Sequence, residues 1–157
     1  MLYFPFLNLC FSQNTNNGCY ASGSWTNGKL QVDVGGINGY DITTGMSGGW
    51  EYSFTTTTDG RLEIKFDYVL DVSSAYESNE FGEAVVQLDG VDVVVKRLTG
   101  RSGTYYKSQV GEVIVFPYVG AGDHKITLGA HNNQKTTSDE DTKVTYDNVK
   151  VSLLPAE

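Results

Sequence analysis

Apolar and polar residues alternate along most of this chain. The clearest stretch is 61–72, whose apolar residues share one face while charged residues occupy the other. The apolar set is Leu62, Ile64, Phe66, Tyr68 and Leu70. One face therefore packs on a core and the other meets water, as in an antiparallel sheet. No window shows sustained helical spacing, so we expect strands and no helices.

Seven further stretches show strand-like patterns. They are 29–34, 50–58, 83–88, 91–98, 112–119, 124–129 and 142–154. Asp89-Gly90 and Asp59-Gly60 predict tight hairpins, and 120–125 predicts a looser connection. About eight strands with regularly spaced turns indicate an all-β fold, an antiparallel two-sheet β-sandwich of jelly-roll type.

The chain has 157 residues, with no linker and no internal repeat, which indicates one domain. We expect residues 20–157 to form the sandwich. The apolar segment 1–19 is either an extra strand or the remnant of a processed leader, and its lack of basic residues favours the strand. Cys10 and Cys19 lie in this segment, and the sequence leaves open whether they form a disulfide.

Acidic residues outnumber basic ones, 19 to 11, so the formal net charge is −8. This charge argues against nucleic acid or an anionic membrane as the main partner, because phosphate binding needs a basic surface. No apolar stretch is long enough to span a membrane. The charge is compatible with bound cations, with neutral polymers or with solubility alone.

Polar residues collect in three stretches that exceed what a sandwich needs for its connections: 35–50, 73–83 and 131–141. Loops gather at the two ends of a sandwich, so separate loops can build one site. Converging carboxylates and amides suit Ca²⁺, which prefers oxygen ligands. The alternative is a solvated acidic surface balanced by Lys135 and Lys143.

The same stretches favour carbohydrate binding, because sugar faces pack on aromatic rings while sugar hydroxyls bond to amides and carboxylates. Each aromatic side chain could instead belong to the core or the rim. The candidate stacking residues are Trp25, in a stretch with loop composition, Tyr76 and Tyr105. The candidate polar contacts are Glu77, Glu80, His131, Asn132 and Asn133.

A catalytic hypothesis also has candidates. Paired glutamates could hydrolyse a glycosidic bond. A lyase would need a base beside a charge neutraliser, for which His131, Tyr105, Tyr106 and Arg101 are available. Spacing along the chain does not show that any pair lies at working distance, so no catalytic residue is assigned. His124 lies inside a strand and is expected to be a strand residue.

Four runs carry a resemblance: GMSGGWEYSF, YESNEFGEAVVQLDG, GAGDHKITLGAHNNQKTTSDED and VTYDNVKV. Together they resemble a jelly-roll module of large secreted, often marine, bacterial proteins, in which it accompanies polysaccharide-degrading domains or adhesin repeats. The resemblance covers roughly residues 20–153 and implies an extracellular location. The chain is more loosely similar to carbohydrate-binding modules and laminin-G-like domains. Several carbohydrate-binding families hold a structural Ca²⁺ through an Asp of the last strand, and that resemblance implies Asp147 as a ligand.

The leading hypothesis is a secreted, noncatalytic carbohydrate-binding module that binds a polysaccharide or glycan with the help of Ca²⁺. The candidate metal ligands are Glu80, Asp139 and Asp147. The alternative is a structural subunit of an extracellular filament, sheath or adhesin, in which an N-terminal strand completes the sheet of a neighbouring copy. A polysaccharide lyase or glycosidase is the third hypothesis.

Overall fold

The chain is described by a computed structural model over residues 7–10, 21–26, 28–35, 43–137 and 139–156, with the backbone alone described for 7–10, 21–26, 43 and 44. These residues form ten strands: β1 (Leu7–Cys10), β2 (Ala21–Thr26), β3 (Lys29–Gly35), β4 (Thr43–Thr56), β5 (Gly60–Val72), β6 (Phe81–Leu88), β7 (Val91–Thr99), β8 (Tyr106–Val119), β9 (Gly122–Lys135) and β10 (Asp141–Leu154). None of the described residues belongs to a helix that could cross a membrane.

The strands form two antiparallel sheets. Sheet A has the order β1-β4-β9-β6-β7, and sheet B has the order β2-β3-β10-β5-β8. If β3 to β10 are renumbered one to eight, the sheets read 2-7-4-5 and 1-8-3-6, which is the jelly-roll arrangement. The predicted fold class is therefore confirmed.

The eight patterned stretches correspond to β3 to β10. The loop expected around Trp25 is wrong, because Ala21–Thr26 forms β2 and pairs with β3. At the N-terminus, Leu7–Cys10 pairs with β4 of the same chain, at the edge of sheet A. The side chain of Cys10 and all of Cys19 lie outside the described residues, so their pairing stays open.

The core lies between the two sheets and consists of the inward-facing apolar residues of both. Leu62, Ile64 and Leu70 of β5 are fully buried, as their spacing predicts. Trp50 of sheet A reaches across and donates its indole Nε1–H to the carbonyl oxygen of Gln31 in sheet B at 3.0 Å. Each large apolar side chain buried in this way stabilises the fold by about 1.5–3 kcal/mol.

Two turns differ in outcome. Asp89 and Gly90 have φ values of 52° and 83°, which is a type I′ turn joining β6 to β7, so this hairpin is confirmed. The hairpin predicted at Asp59-Gly60 is wrong, because the chain there leaves β4 of sheet A and enters β5 of sheet B. A turn dipeptide specifies a change of direction but not which strands then pair.

The long polar loop expected at 131–141 is also shorter than predicted. Strand β9 continues to Lys135 and pairs with the first part of β4, which had been assigned to a glycine-rich loop. The polar residues fit a strand because they are hydrogen bonded: Asn132 faces inward, is fully buried and donates to the Tyr76 hydroxyl at 2.9 Å. Only the turn between β9 and β10 remains, and the buried Glu140 carboxylate accepts hydrogen bonds from Thr136 and Thr137 there.

Tyr146 of β10 connects the sheets at the middle of sheet A. Its fully buried hydroxyl lies 2.5 Å from the carbonyl oxygen of Gly129 in β9 and 3.1 Å from that of Val85 in β6. These two residues are cross-strand partners. A single side chain of sheet B thus supports the backbone of two neighbouring strands in sheet A.

Replacing Tyr146 with Phe should lower the free energy of unfolding by about 1–3 kcal/mol, because two buried carbonyl oxygens lose their hydroxyl partner. Urea denaturation of the wild type and the variant measures this difference. Tyr106→Phe is the matched control, since Tyr106 is 58% exposed and its hydroxyl should be replaceable without loss. Equal stability of the two variants would contradict the assigned role.

Candidate functional site

Four neighbouring strands of sheet A bring their outward residues into register as three rows. The first row is Ser47, His131, Glu83 and Arg97. The middle row is Gly49, Gly129, Val85 and Val94. The third row is Glu51, Thr127, Gln87 and Asp92. A middle row of small or apolar residues between two polar rows forms a depression, which we call the trough; most of these residues line a cavity of about 140 Å³.

Two glycines keep the trough open. A Cβ atom on Gly49 would lie 2.6 Å from the carbonyl oxygen of Leu128, and one on Gly129 would lie 2.8 Å from that of Gly48. Because β4 and β9 approach so closely, neither position accepts a side chain without a shift of backbone. The sequence therefore leaves the floor bare at its centre.

The dimensions of the trough follow from sheet geometry. The two polar rows are four residues apart along β4, β9 and β6, which is about 13 Å, and five residues apart along β7, where the pairing with β6 shifts by one residue. The four strands that carry them span about 14 Å across the sheet. At the β7 side the trough ends at a sheet edge, where Val94 is 47% exposed. The shape suits a short segment of a linear molecule that crosses the strands.

Charges in the first row are paired. Glu83 is only 4% exposed and accepts a hydrogen bond from Arg97 Nε at 2.5 Å, with Arg97 Nη2 also in contact. His131 Nδ1 lies 3.2 Å from the other Glu83 oxygen. The Arg97 guanidinium in turn stacks 3.9 Å above the Phe81 ring. Burial alone would raise the pKa of Glu83, but the hydrogen bonds and charges of His131 and Arg97 outweigh it and hold this pKa below its ordinary value.

The third row carries more negative charge. Gln87 donates its side-chain amide to the Asp92 carboxylate. Glu51 forms an ion pair with Lys125 Nζ at 3.3 Å. Lys125 lies two residues before Thr127 on the same outward face of β9. Hydroxyl, amide and carboxylate groups are thus all presented along this wall.

Among the predicted ligand contacts whose side chains the structure describes, only His131 lies in the trough. Tyr76, predicted to stack on a ligand, is a correction: it is fully buried, and its hydroxyl contacts Thr142 Oγ1 at 2.7 Å. Glu80 and Asn132 are also fully buried. A ring or amide enclosed in the core presents no face to a glycan.

The remaining predicted contacts hold loops in place. Asn133 accepts from the backbone amide of Phe81 at 2.8 Å and donates to the carbonyl oxygen of Asn79 at 2.8 Å, so the second and third polar stretches do share an end of the sandwich. Glu77 is exposed and lies 3.8 Å from Arg101. Tyr105 is half-buried and packs against the core. The side chain of Trp25 lies outside the described residues.

The predicted metal ligands are not brought together. Asp147 pairs with Lys29 at 3.6 Å, six residues along β10 from the end where Glu80 lies, which is about 20 Å. Asp139 is exposed and accepts from Thr137 Oγ1 at 2.5 Å. Across the ranges that the structure describes, no three His, Cys, Asp or Glu side chains cluster in a way that could hold a metal ion.

The sequence analysis did not predict most of the trough, because it placed the candidate ligand contacts in loops. The signal was present in the outward positions of the strands: polar Gln87 and Asp92 flank the Asp89-Gly90 turn, and glycines occupy outward positions of two strands. Combining them required the register between strands that are far apart in the sequence.

Some solved structures are similar to this chain at low sequence identity. No protein-family model matches the chain, and neither does any curated protein. Among solved structures, the chain is similar to TmCBM61 in complex with beta-1,4-galactotriose (TM-score 0.45, 13% identity, 95% of this chain and 88% of that one). It is similar to a CBM4 carbohydrate-binding module (TM-score 0.38, 8% identity, 93% and 86%).

A third similar structure is a cycloisomaltooligosaccharide glucanotransferase of Paenibacillus sp., complexed with cycloisomaltoheptaose. Its TM-score is 0.35 at 13% identity, and the match covers 74% of this chain. The chain spans 16% of that enzyme's length.

Replacing Glu83 with Gln should destabilise the protein at neutral pH, by about 1–2 kcal/mol, because the buried group no longer offers Arg97 and His131 a charged hydrogen-bond partner, while water screens the half-exposed Arg97. A carboxyl whose pKa is lowered on folding contributes stability above its unfolded pKa and loses it as pH falls through the folded value. The gap between wild type and variant should therefore close in acid. Urea denaturation across a pH series measures it, with Glu63→Gln on the opposite sheet as the control; a gap that persists at low pH would contradict the ion-pair explanation.

Proposed function

We propose that this protein is a noncatalytic module that binds an extracellular polysaccharide in the trough of sheet A. The observation that carries the proposal is the arrangement of three rows: an open floor of glycine and valine between two walls of hydrogen-bonding side chains. A linear glycan needs such a surface, because its hydroxyls project sideways while its ring faces are largely apolar.

The chemistry of the walls fits sugar hydroxyls, which both donate and accept hydrogen bonds. Ser47 and Thr127 offer hydroxyls, Gln87 offers an amide, and Asp92 offers a carboxylate. Val85 and Val94 offer apolar contact to the C–H groups of a ring. No Phe, Tyr or Trp belongs to the three rows, so hydrogen bonds carry most of the expected specificity.

The partners of the acidic groups support binding rather than catalysis. A glycosidase needs one carboxylic acid whose pKa is raised so that it can donate a proton. Glu83 has the opposite property, since Arg97 and His131 keep its pKa low. His131 contacts that same carboxylate through its Nδ1 atom.

Replacing Gln87 with Ala should weaken glycan binding about tenfold, because one charge-assisted wall contact, and the positioning of Asp92, are lost. The measurement is affinity gel electrophoresis against a panel of soluble polysaccharides, followed by titration calorimetry with the one that binds. Thr145→Ala, on the outward face of β10 in sheet B, is the matched control and should bind as the wild type does. Equal loss in both variants, or binding unaffected by either, would place the ligand elsewhere.

We further propose that calcium assists by binding at the end of the sandwich where Asn133 joins the second and third polar stretches. Two fully buried oxygens support this: Glu80 Oε1 and Asn132 Oδ1 have no hydrogen-bond partner among the described residues. Asn132 pairs in register with Gly82, so Glu80 is its diagonal neighbour on the same inward face, within reach of long side chains. Burial raises the pKa of Glu80, and the nearby carboxylate of Glu140 adds to the effect. Like charges at a buried site are stabilised by a cation or a proton.

Thermal melts in EDTA and in excess Ca²⁺ separate these two occupants. If Ca²⁺ binds there, it should raise the melting temperature of the wild type and of Asp147→Asn, and not that of Glu80→Gln. A melting temperature that ignores Ca²⁺ and rises on acidification would mean that a proton occupies the site, and the calcium proposal would fail.

A further inference from the structure

The charges of the trough restrict which class of polysaccharide it can take. Acidic polysaccharides carry carboxylate or sulfate groups, and proteins recognise these groups with Arg or Lys side chains that are free to form paired hydrogen bonds. The question is therefore which trough cations are available to a ligand.

The cations at the trough are already paired. Arg97 is bound to the Glu83 carboxylate through two nitrogens and is stacked on Phe81. Lys125 is paired with Glu51. Arg97 in the first row and Lys125 beside the third row therefore each have a carboxylate partner within this chain.

The anions are less completely compensated. Asp92 is bonded to the neutral amide of Gln87, so its negative charge is left at the trough wall. The chain as a whole carries a formal net charge of −8. A polyanionic ligand would meet both an unfavourable local charge and an unfavourable field over the whole surface.

We propose that the trough selects uncharged polysaccharides and excludes polyuronates and sulfated glycans. This inference rests on the proposed function, and it names the ligand class of the same site. Selection operates through pairing: Glu83 and Glu51 occupy the cations that an acidic sugar would need. This pairing does not prevent the binding of neutral sugars, because a carboxylate that is paired with a cation on one side still accepts hydrogen bonds from sugar hydroxyls.

The test compares neutral polysaccharides (a galactan, a xylan and a mixed-linkage glucan) with acidic ones (alginate, polygalacturonate and a sulfated galactan) in affinity gels at low ionic strength. The wild type should be retarded by at least one neutral polymer and by none of the acidic ones. The decisive variant is Glu51→Gln, which leaves Lys125 without its carboxylate. Its retardation by a polyuronate, taken relative to its retardation by the neutral polymer, should rise about threefold.

Two control variants separate local pairing from net charge. Asp71→Asn removes the same unit of charge from an exposed position of sheet B and should gain nothing. The double variant Glu51→Gln with Lys125→Gln should lose the gain. A gain of equal size in Asp71→Asn would overturn the pairing argument, since net charge alone would then explain it.

The failures are distinguishable. Retardation of the wild type by acidic polymers, equal to or stronger than that by neutral ones, would overturn the selection while leaving glycan binding in place. Retardation by neither class, from a protein that melts cooperatively, would overturn the proposed function and this inference with it.

Discussion

The trough depends on the close approach of β4 and β9, which only glycine allows. Gly49 and Gly129 face each other at the centre of sheet A, and neighbouring carbonyl oxygens occupy the space that a Cβ would need at either position. From beneath, the Tyr146 hydroxyl bonds to the backbone of Gly129 and Val85. The floor is therefore fixed from both sides: no side chain can fill it from above, and a hydrogen bond from the other sheet holds it below. The walls owe their spacing to this floor.

Register then converts scattered residues into a site. Glu83 lies between His131 and Arg97 because β6 pairs with β9 on one side and with β7 on the other. The same pairing aligns Gln87 with both Thr127 and Asp92. A slip of one residue in any of these pairs would turn the polar row toward the core, so the alternation that builds the sandwich also builds the trough.

The strands of the fold could be predicted from the sequence because alternation is a local signal. It worked for β3 to β10, where each strand buries one face. It failed for 131–135, since Asn132 is an inward residue whose burial is stabilised by the Tyr76 hydroxyl rather than by apolar contact. It failed for β2 because serine and glycine have loop-like composition. Pattern reasoning treats a polar residue as exposed, whereas a hydrogen-bonded polar residue can occupy the core.

The candidate site could not be predicted in the same way, and the reason is physical. Most residues of the polar stretches 73–83 and 131–141 close one end of the sandwich: Asn133 ties the two segments together, Glu140 holds the last turn, and Tyr76 fills the core. Side chains that satisfy buried backbone groups are not free to bind a ligand. Ligand contact therefore shifts to a sheet face, where outward residues make only cross-strand pairs and keep unused hydrogen-bonding capacity. In the three rows of sheet A, such capacity surrounds a hollow.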